Sequence, residues 1–175
     1  YIEKNACYIG RTNLHPYATS NLAGENSVLW AQKNKFIDGI VIRLSNGFGV
    51  PKTKEANCWM LLVNDLCYQA INNRKLVLNS NGLEFRNFIP IAEICSAIDF
   101  LVCQLPFELK VGNQGPINIG SKTSLSVLGM AKLIQSRCKL ILGYAPDLLV
   151  KEQKNNYKIS HLNFKSSRLE ALGYS

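Results

Sequence analysis

The sequence predicts an α/β domain, and three observations predict it. Strand-like and helix-like segments alternate along the chain, as in a parallel sheet covered by helices. Residues 39–44, "GIVIRL", form a nearly continuous β-branched run, which suits a strand buried on both faces. Residues 55–72 place Trp59, Leu62, Val63, Leu66, Cys67 and Ala70 at helical spacing, the mark of an amphipathic helix.

The elements follow in order. "YIEKNACYIG" is a poor first strand that ends at Gly10. Pro16 suits the first turn of a helix, and Leu22, Ala23, Val28, Leu29 and Trp30 carry its apolar side until Asp38 and Gly39 stop it. After the 39–44 strand, "SNGFGVP" reads as a loop with two glycines. The 55–72 helix precedes a short strand, "KLVLN", and "EFRNFIPI" is extended. Residues 92–103 make a helix with Ile94, Cys95, Ile98, Leu101 and Val102 on its apolar face. "GPINIGS" is another short strand, and Ser124 is placed to cap a helix over 125–135. "CKLILG" reads as a strand, and "SSRLEALGYS" opens a last short helix.

Composition excludes several classes. With 47% hydrophobic and 18% charged residues the chain has the makeup of a globular domain, which argues against disorder. The net charge of +8 is spread from Lys4 to Lys165, and its densest run, "KEQKNNYKISHLNFK", reads as a solvated face. No aromatic and basic residues interleave on one face, so no nucleic-acid partner is expected. An excess of positive charge also suits a diphosphate ligand. The six cysteines lack C-x-x-C spacing and read as buried thiols in a reducing cytoplasm; with only His15 and His161 beside them, no metal site is expected. The most apolar window, "IPIAEICSAIDFLVCQLPF", holds Glu93 and Asp99, so no membrane span is expected. Gly112, Gly115 and Gly120 precede a strand instead of following one and are turn punctuation, not a dinucleotide fingerprint.

Four segments carry a more specific signal. "HPYATSNLAGE" is similar to P-Y-x-x-S-K-x-x-x-E, and "VIRLSNGFGVP" to R-x-x-N-x-[YF]-G-P. "GLEFRNFIPIAEICSAI" is close to G-x-x-x-R-D-[FY]-[IV]-H-V-x-D-x-x-x-A, and "INIGSKTSLSVLGMAKLI" to a strand, N-x-G and a helix. The ending "FKSSRLEALGY" is similar to K-x-x-x-L-G-[YW]. In this order the segments resemble the extended short-chain dehydrogenases, the NAD-dependent epimerase/dehydratase family that acts on nucleotide sugars.

The resemblance implies the C-terminal part of a Rossmann-like parallel sheet with helices, plus a small α/β substrate-binding lobe. The dinucleotide-binding half would lie N-terminal to it. The sheet portion is expected over about 1–50 and 85–120, and the lobe over about 51–84 and 121–175. NAD is the cofactor of a complete protein, while these 175 residues alone are expected to bind it weakly or not at all.

The resemblance also implies roles. Tyr17 would be the base that takes a sugar hydroxyl proton as hydride leaves for nicotinamide. A tyrosine with pKa near ~10 needs help as a base, and a lysine one helical turn on provides it: at ~6 Å and an effective dielectric of ~20 the charge contributes ~3 kcal/mol, or about two pKa units. This chain has Asn21 there, a ribose contact without charge. Ser45 would face the nicotinamide, while Asn46 and Arg86 would hold the diphosphate of a nucleotide-diphospho-sugar. The family's Ser or Thr upstream of the tyrosine has no counterpart among Asn5, Ala6 and Cys7, and the Asp-Glu pair of its dehydratases is absent, so epimerisation is the more economical chemistry. A role in surface-polysaccharide synthesis and a homodimer are implied by resemblance alone. The alternative is a catalytically degenerate or truncated member that keeps only binding or assembly.

Overall fold

The computed structural model describes residues 16–53, 55–105, 115–151 and 161–174. The chain divides into two compact units and crosses between them repeatedly: Tyr1–Ser45, Ala92–Lys122 and Asn163–Ser175 contribute to the first, Asn46–Ile91 and Thr123–Leu162 to the second. Residues 85–91 lie in the second unit, where their strand pairs, and 163–175 lie in the first.

In the first unit, helix α1 (Pro16–Lys33) leads to strand β1 (Ile42–Leu44), which pairs in parallel with β5 (Ile117–Ile119), Arg43 opposite Asn118. Helix α3 (Ile91–Asp99) runs into a π-helical turn over Phe100–Gln104, closed by the Leu105 amide donating to Phe100 O at 2.8 Å. The short helix α5 (Ser167–Ala171) packs on β5 and buries Leu169. Val41, Ile94, Ala97, Leu101, Ile117 and Ile119 are buried here. The sequence pattern placed α1 and the last helix, but β1 is shorter than the run from Gly39.

The second unit holds two sheets. Strand β2 (Asn46–Phe48) pairs in parallel with β4 (Phe85–Pro90), whose other edge takes β6 (Ser124–Ser126) antiparallel. Strand β3 (Lys75–Leu78) pairs in parallel with β7 (Asp147–Val150). Helices α2 (Leu62–Asn73) and α4 (Val127–Leu142) pack on each other and on β3. Their facing stripes, Val63, Leu66 and Ala70 from α2 and Val127, Met130, Ala131 and Ile134 from α4, close over Leu76, Leu78 and Phe88 as one apolar cluster.

Several expectations need correction in this unit. The glycine loop contains a strand, β2, because Asn46–Phe48 finds β4 as a partner. Helix α2 starts at Leu62, since Leu61 before it is extended. The cap of α4 is Ser126, whose Oγ accepts from the Gly129 amide at 2.9 Å, while Ser124 sits in β6. "CKLILG" is the last part of α4: the core stripe continues at helical spacing from Ile134 to Cys138, and Gly143 ends the helix at a left-handed φ of 76°. Strand β7 was not expected.

Nor are the cysteines uniformly buried. Cys67, Cys95 and Cys103 are exposed and Cys58 and Cys138 half-buried, and none of these five is in a disulfide. Although Cys67 has exposed surface, partial desolvation by the surrounding side chains pushes its thiol above the ordinary range, and nearby Cys138 adds to the shift. Cys7 and the expected first strand lie outside the described residues. Among the described residues, no helix is long and apolar enough to cross a membrane, and no group of three His, Cys, Asp or Glu could hold a metal.

Two polar devices shape the loops that carry the sequence motifs. Gly82 adopts a φ of +69° and its carbonyl accepts from the Leu128 amide at 2.8 Å; a Cβ there would lie 3.0 Å from that same nitrogen. Buried Asn64 binds both backbone groups of Gly49, its Nδ2 donating to the carbonyl at 3.1 Å and its Oδ1 accepting from the amide at 3.2 Å. Asn64→Ala removes both bonds where water has poor access, so urea denaturation should show a loss of about 1–3 kcal/mol.

Candidate active-site residues

Tyr17 is the second residue of α1, directly after Pro16, and it is 74% exposed. Proline suits this position because the first-turn amide has no intrahelical acceptor. One turn on, the Asn21 Nδ2 donates to the Tyr17 carbonyl at 2.8 Å, and the Ser20 Oγ donates to the same carbonyl at 3.0 Å. Both polar side chains therefore turn back along the helix. This is the usual competition of short polar side chains for backbone acceptors. The helix itself contributes no buried residue, and Trp30, expected on its apolar face, is exposed and stacks on Phe36 instead.

A polar contact ties α1 to β1. Glu25 Oε1 accepts from Arg43 Nε at 2.8 Å and Glu25 Oε2 from Arg43 Nη2, a two-pronged ion pair between helix and β1 whose side chains are only 18% and 16% exposed. Both residues fall inside the quoted motifs, yet sequence reading assigned them no role. Nothing in a linear pattern signals that a helix Glu and a strand Arg 18 residues apart will meet.

Two residues beyond Arg43, Ser45 closes β1, its amide donating to Ile119 O at 3.0 Å. Its Oγ is buried and has no hydrogen-bond partner among the described residues. A hydroxyl in that state either carries a desolvation cost or waits for a ligand.

In the second unit, Asn46 opens β2 opposite Phe88 and donates from Nδ2 to the Asn87 carbonyl at 3.0 Å. Arg86 lies two residues before Phe88 on the same strand, about 7 Å along it. Its Nη2 meets Glu84 Oε2 at 3.3 Å, with 42% of the arginine side chain exposed, so this contact contributes little. Buried Asn87 donates to Thr123 O at 3.1 Å, a bond for which a carboxylate has no donor. Of the expected site residues, Tyr17, Asn21 and Ser45 thus belong to one unit, and Asn46 and Arg86, brought together on paired strands, to the other.

Comparison with known proteins now bears on this arrangement. A model of the NAD dependent epimerase/dehydratase family matches residues 4–120. The chain belongs to the NAD dependent epimerase/dehydratase family. It is 30% identical over 121 residues to the dTDP-D-glucose 4,6-dehydratase of Dictyostelium discoideum, a match covering 69% of this chain and 25% of that protein. Among solved structures, the dTDP-glucose 4,6-dehydratase of Bacillus anthracis in complex with NAD superposes with a TM-score of 0.68 at 20% identity, over 98% of this chain and 48% of its own. The UDP-N-acetylglucosamine 4-epimerase of Methanobrevibacter ruminantium, in complex with UDP-N-acetylmuramic acid, gives 0.65 at 19% identity, over 100% and 54%. Such likeness shows the Rossmann-like fold. The chain spans about a quarter of the curated relative and about half of each of these two structures.

Seen as a member of the epimerase/dehydratase family, the chain departs from the motif pattern at more than Asn21. Asn87 stands where the pattern has Asp, and Pro90, which ends β4, where it has His. For the family's NAD, the buried unpartnered hydroxyl of Ser45 offers a hydrogen bond suited to a ribose or carboxamide group. The described residues include no glycine-rich turn from a strand into a helix that would hold a pyrophosphate. Among the described residues, the fit is to one end of the dinucleotide. Asn5, Ala6 and Cys7, the segment where the motif pattern has a Ser or Thr and this sequence has none, lie outside the described residues.

Proposed function

We propose that the full-length protein containing this chain is an NAD-dependent epimerase acting on a nucleotide-diphospho-sugar, with 4-epimerisation as the chemistry. Membership of the family supports this, and one observation carries it: Tyr17 stands open to solvent in the first turn of α1, in the same unit as the buried, unpartnered hydroxyl of Ser45. When bound, NAD would supply the hydride acceptor. Tyr17 would take the sugar hydroxyl proton as the carbon is oxidised and return it on reduction. Ser45 would hold the nicotinamide end, and Asn21, released from the Tyr17 carbonyl, would contact the ribose. Asn46 and Arg86 would bind the diphosphate, the guanidinium pairing two oxygens. Surface-polysaccharide synthesis in the cytoplasm, and a homodimer, are the setting we propose on resemblance.

A second reading is favoured by the Asn21 amide being bonded to backbone: a member that has lost hydride transfer and keeps sugar-nucleotide binding or subunit assembly. Incubating full-length protein with UDP- and dTDP-hexoses, and following reduced-nicotinamide absorbance and the sugar product by NMR, separates the two. No reduction and no product with any hexose would leave only the second. If the enzyme reading holds, Arg86→Ala should raise KM for the nucleotide sugar about 10- to 100-fold with kcat nearly unchanged, as loss of a charge-assisted diphosphate contact requires.

A further inference from the structure

We propose that the Glu25–Arg43 ion pair is a positioning device for Tyr17, an inference that rests on the hydride-transfer reading above. Tyr17, Asn21 and Glu25 stand at i, i+4 and i+8 of α1 and so form one ridge along the helix. No residue of α1 is fully buried and its apolar face, Leu22, Val28 and Leu29, is only half-buried, so apolar packing alone does not fix the rotation of this helix about its own axis. The fork does. Two parallel hydrogen bonds from one guanidinium fix direction as well as distance, and at 16–18% exposure they are little screened by solvent.

The other end of the fork is equally well placed. Arg43 is the middle residue of β1, held in register opposite Asn118, and β1 delivers Ser45 two residues later. One ion pair therefore sets the ridge that carries the base against the strand that carries the Ser45 hydroxyl. A hydride transfer depends on such placement, since a misfit of about 1 Å costs on the order of 10²-fold in rate. Asn46 and Arg86, the proposed diphosphate contacts, belong to the other unit, where Asn46 donates to the Asn87 carbonyl and Arg86 meets Glu84. The pair should consequently govern turnover and leave substrate affinity alone.

The test uses the full-length protein with the nucleotide sugar it turns over. Glu25→Gln keeps shape and removes charge; Arg43→Lys keeps charge and removes the fork. Each should lower kcat about 10- to 100-fold while KM stays within about 2-fold. The exchanged pair Glu25→Arg with Arg43→Glu should recover part of the loss. Amide hydrogen exchange should rise in α1 in both single variants and stay unchanged in β3 and β7. Wild-type kcat in both single variants, or parallel changes in kcat and KM with faster exchange throughout, would overturn the proposal. If the wild-type protein turns over no nucleotide sugar, the hydride-transfer reading fails by itself. In that event, exchange confined to α1 supports the anchoring role of the pair, and unchanged exchange overturns that too.

Discussion

Tyr17→Phe in the full-length protein should lower hydride exchange between nucleotide sugar and NAD by about 10²–10⁴-fold, the usual contribution of a positioned acid–base group. The melting temperature should hardly move. Tyr17 is 74% exposed, so losing its hydroxyl opens no cavity. A drop in rate at constant stability would thus report chemistry alone. The reciprocal change is Asn21→Lys. It removes the bond to the Tyr17 carbonyl and installs a positive charge one turn from the phenol. A positive charge there favours the negative charge that develops on the phenol oxygen as it takes a proton, so turnover near neutrality should rise by about 10-fold. A Tyr17→Phe protein as active as the wild type would place the base elsewhere.

Leu66→Ala should have the largest effect on stability, a loss of about 2–5 kcal/mol in urea denaturation. Leu66 has no exposed surface, and neither has Leu76 of β3 in the same apolar cluster, where α2, α4 and β3 meet. Truncation leaves a void that rigid neighbours fill poorly. Against a typical total of about 5–15 kcal/mol this is a large fraction. The half-buried Cys138, packed on the same cluster, gives a local readout: its alkylation should quicken in Leu66→Ala. Unchanged urea stability would show that the cluster repacks around the loss.

The parts of the fold legible in the sequence are those where local pattern and tertiary role agree. Pro16 announces α1, β-branched residues announce β1, and the 63, 66, 70 stripe announces α2. Misreading began where local pattern conflicts with context. "KLIL" has strand composition, but Leu140 and Ile141 are exposed residues at the end of a helix whose stripe was set ten residues earlier. Strand β7 is four residues long, and its identity comes from pairing with β3, 72 residues away by register, which no window detects. The site divides the same way. Tyr17, Asn21, Ser45, Asn46 and Arg86 were visible because motifs name positions. The Glu25–Arg43 pair and the buried, unpartnered Ser45 oxygen were not, because both are facts about neighbours in space.

The alternation of the chain between its two units has a consequence for synthesis on the ribosome. Strand β3 cannot acquire β7 until residue 150 has been made, and β5 cannot acquire the helix carrying Leu169 until still later. Contacts of such sequence separation close slowly. The nascent polypeptide must therefore carry Leu66, Leu76 and Leu78 without α4 and β7 until residues 127–150 have been made, a window in which chaperone capture competes with self-aggregation.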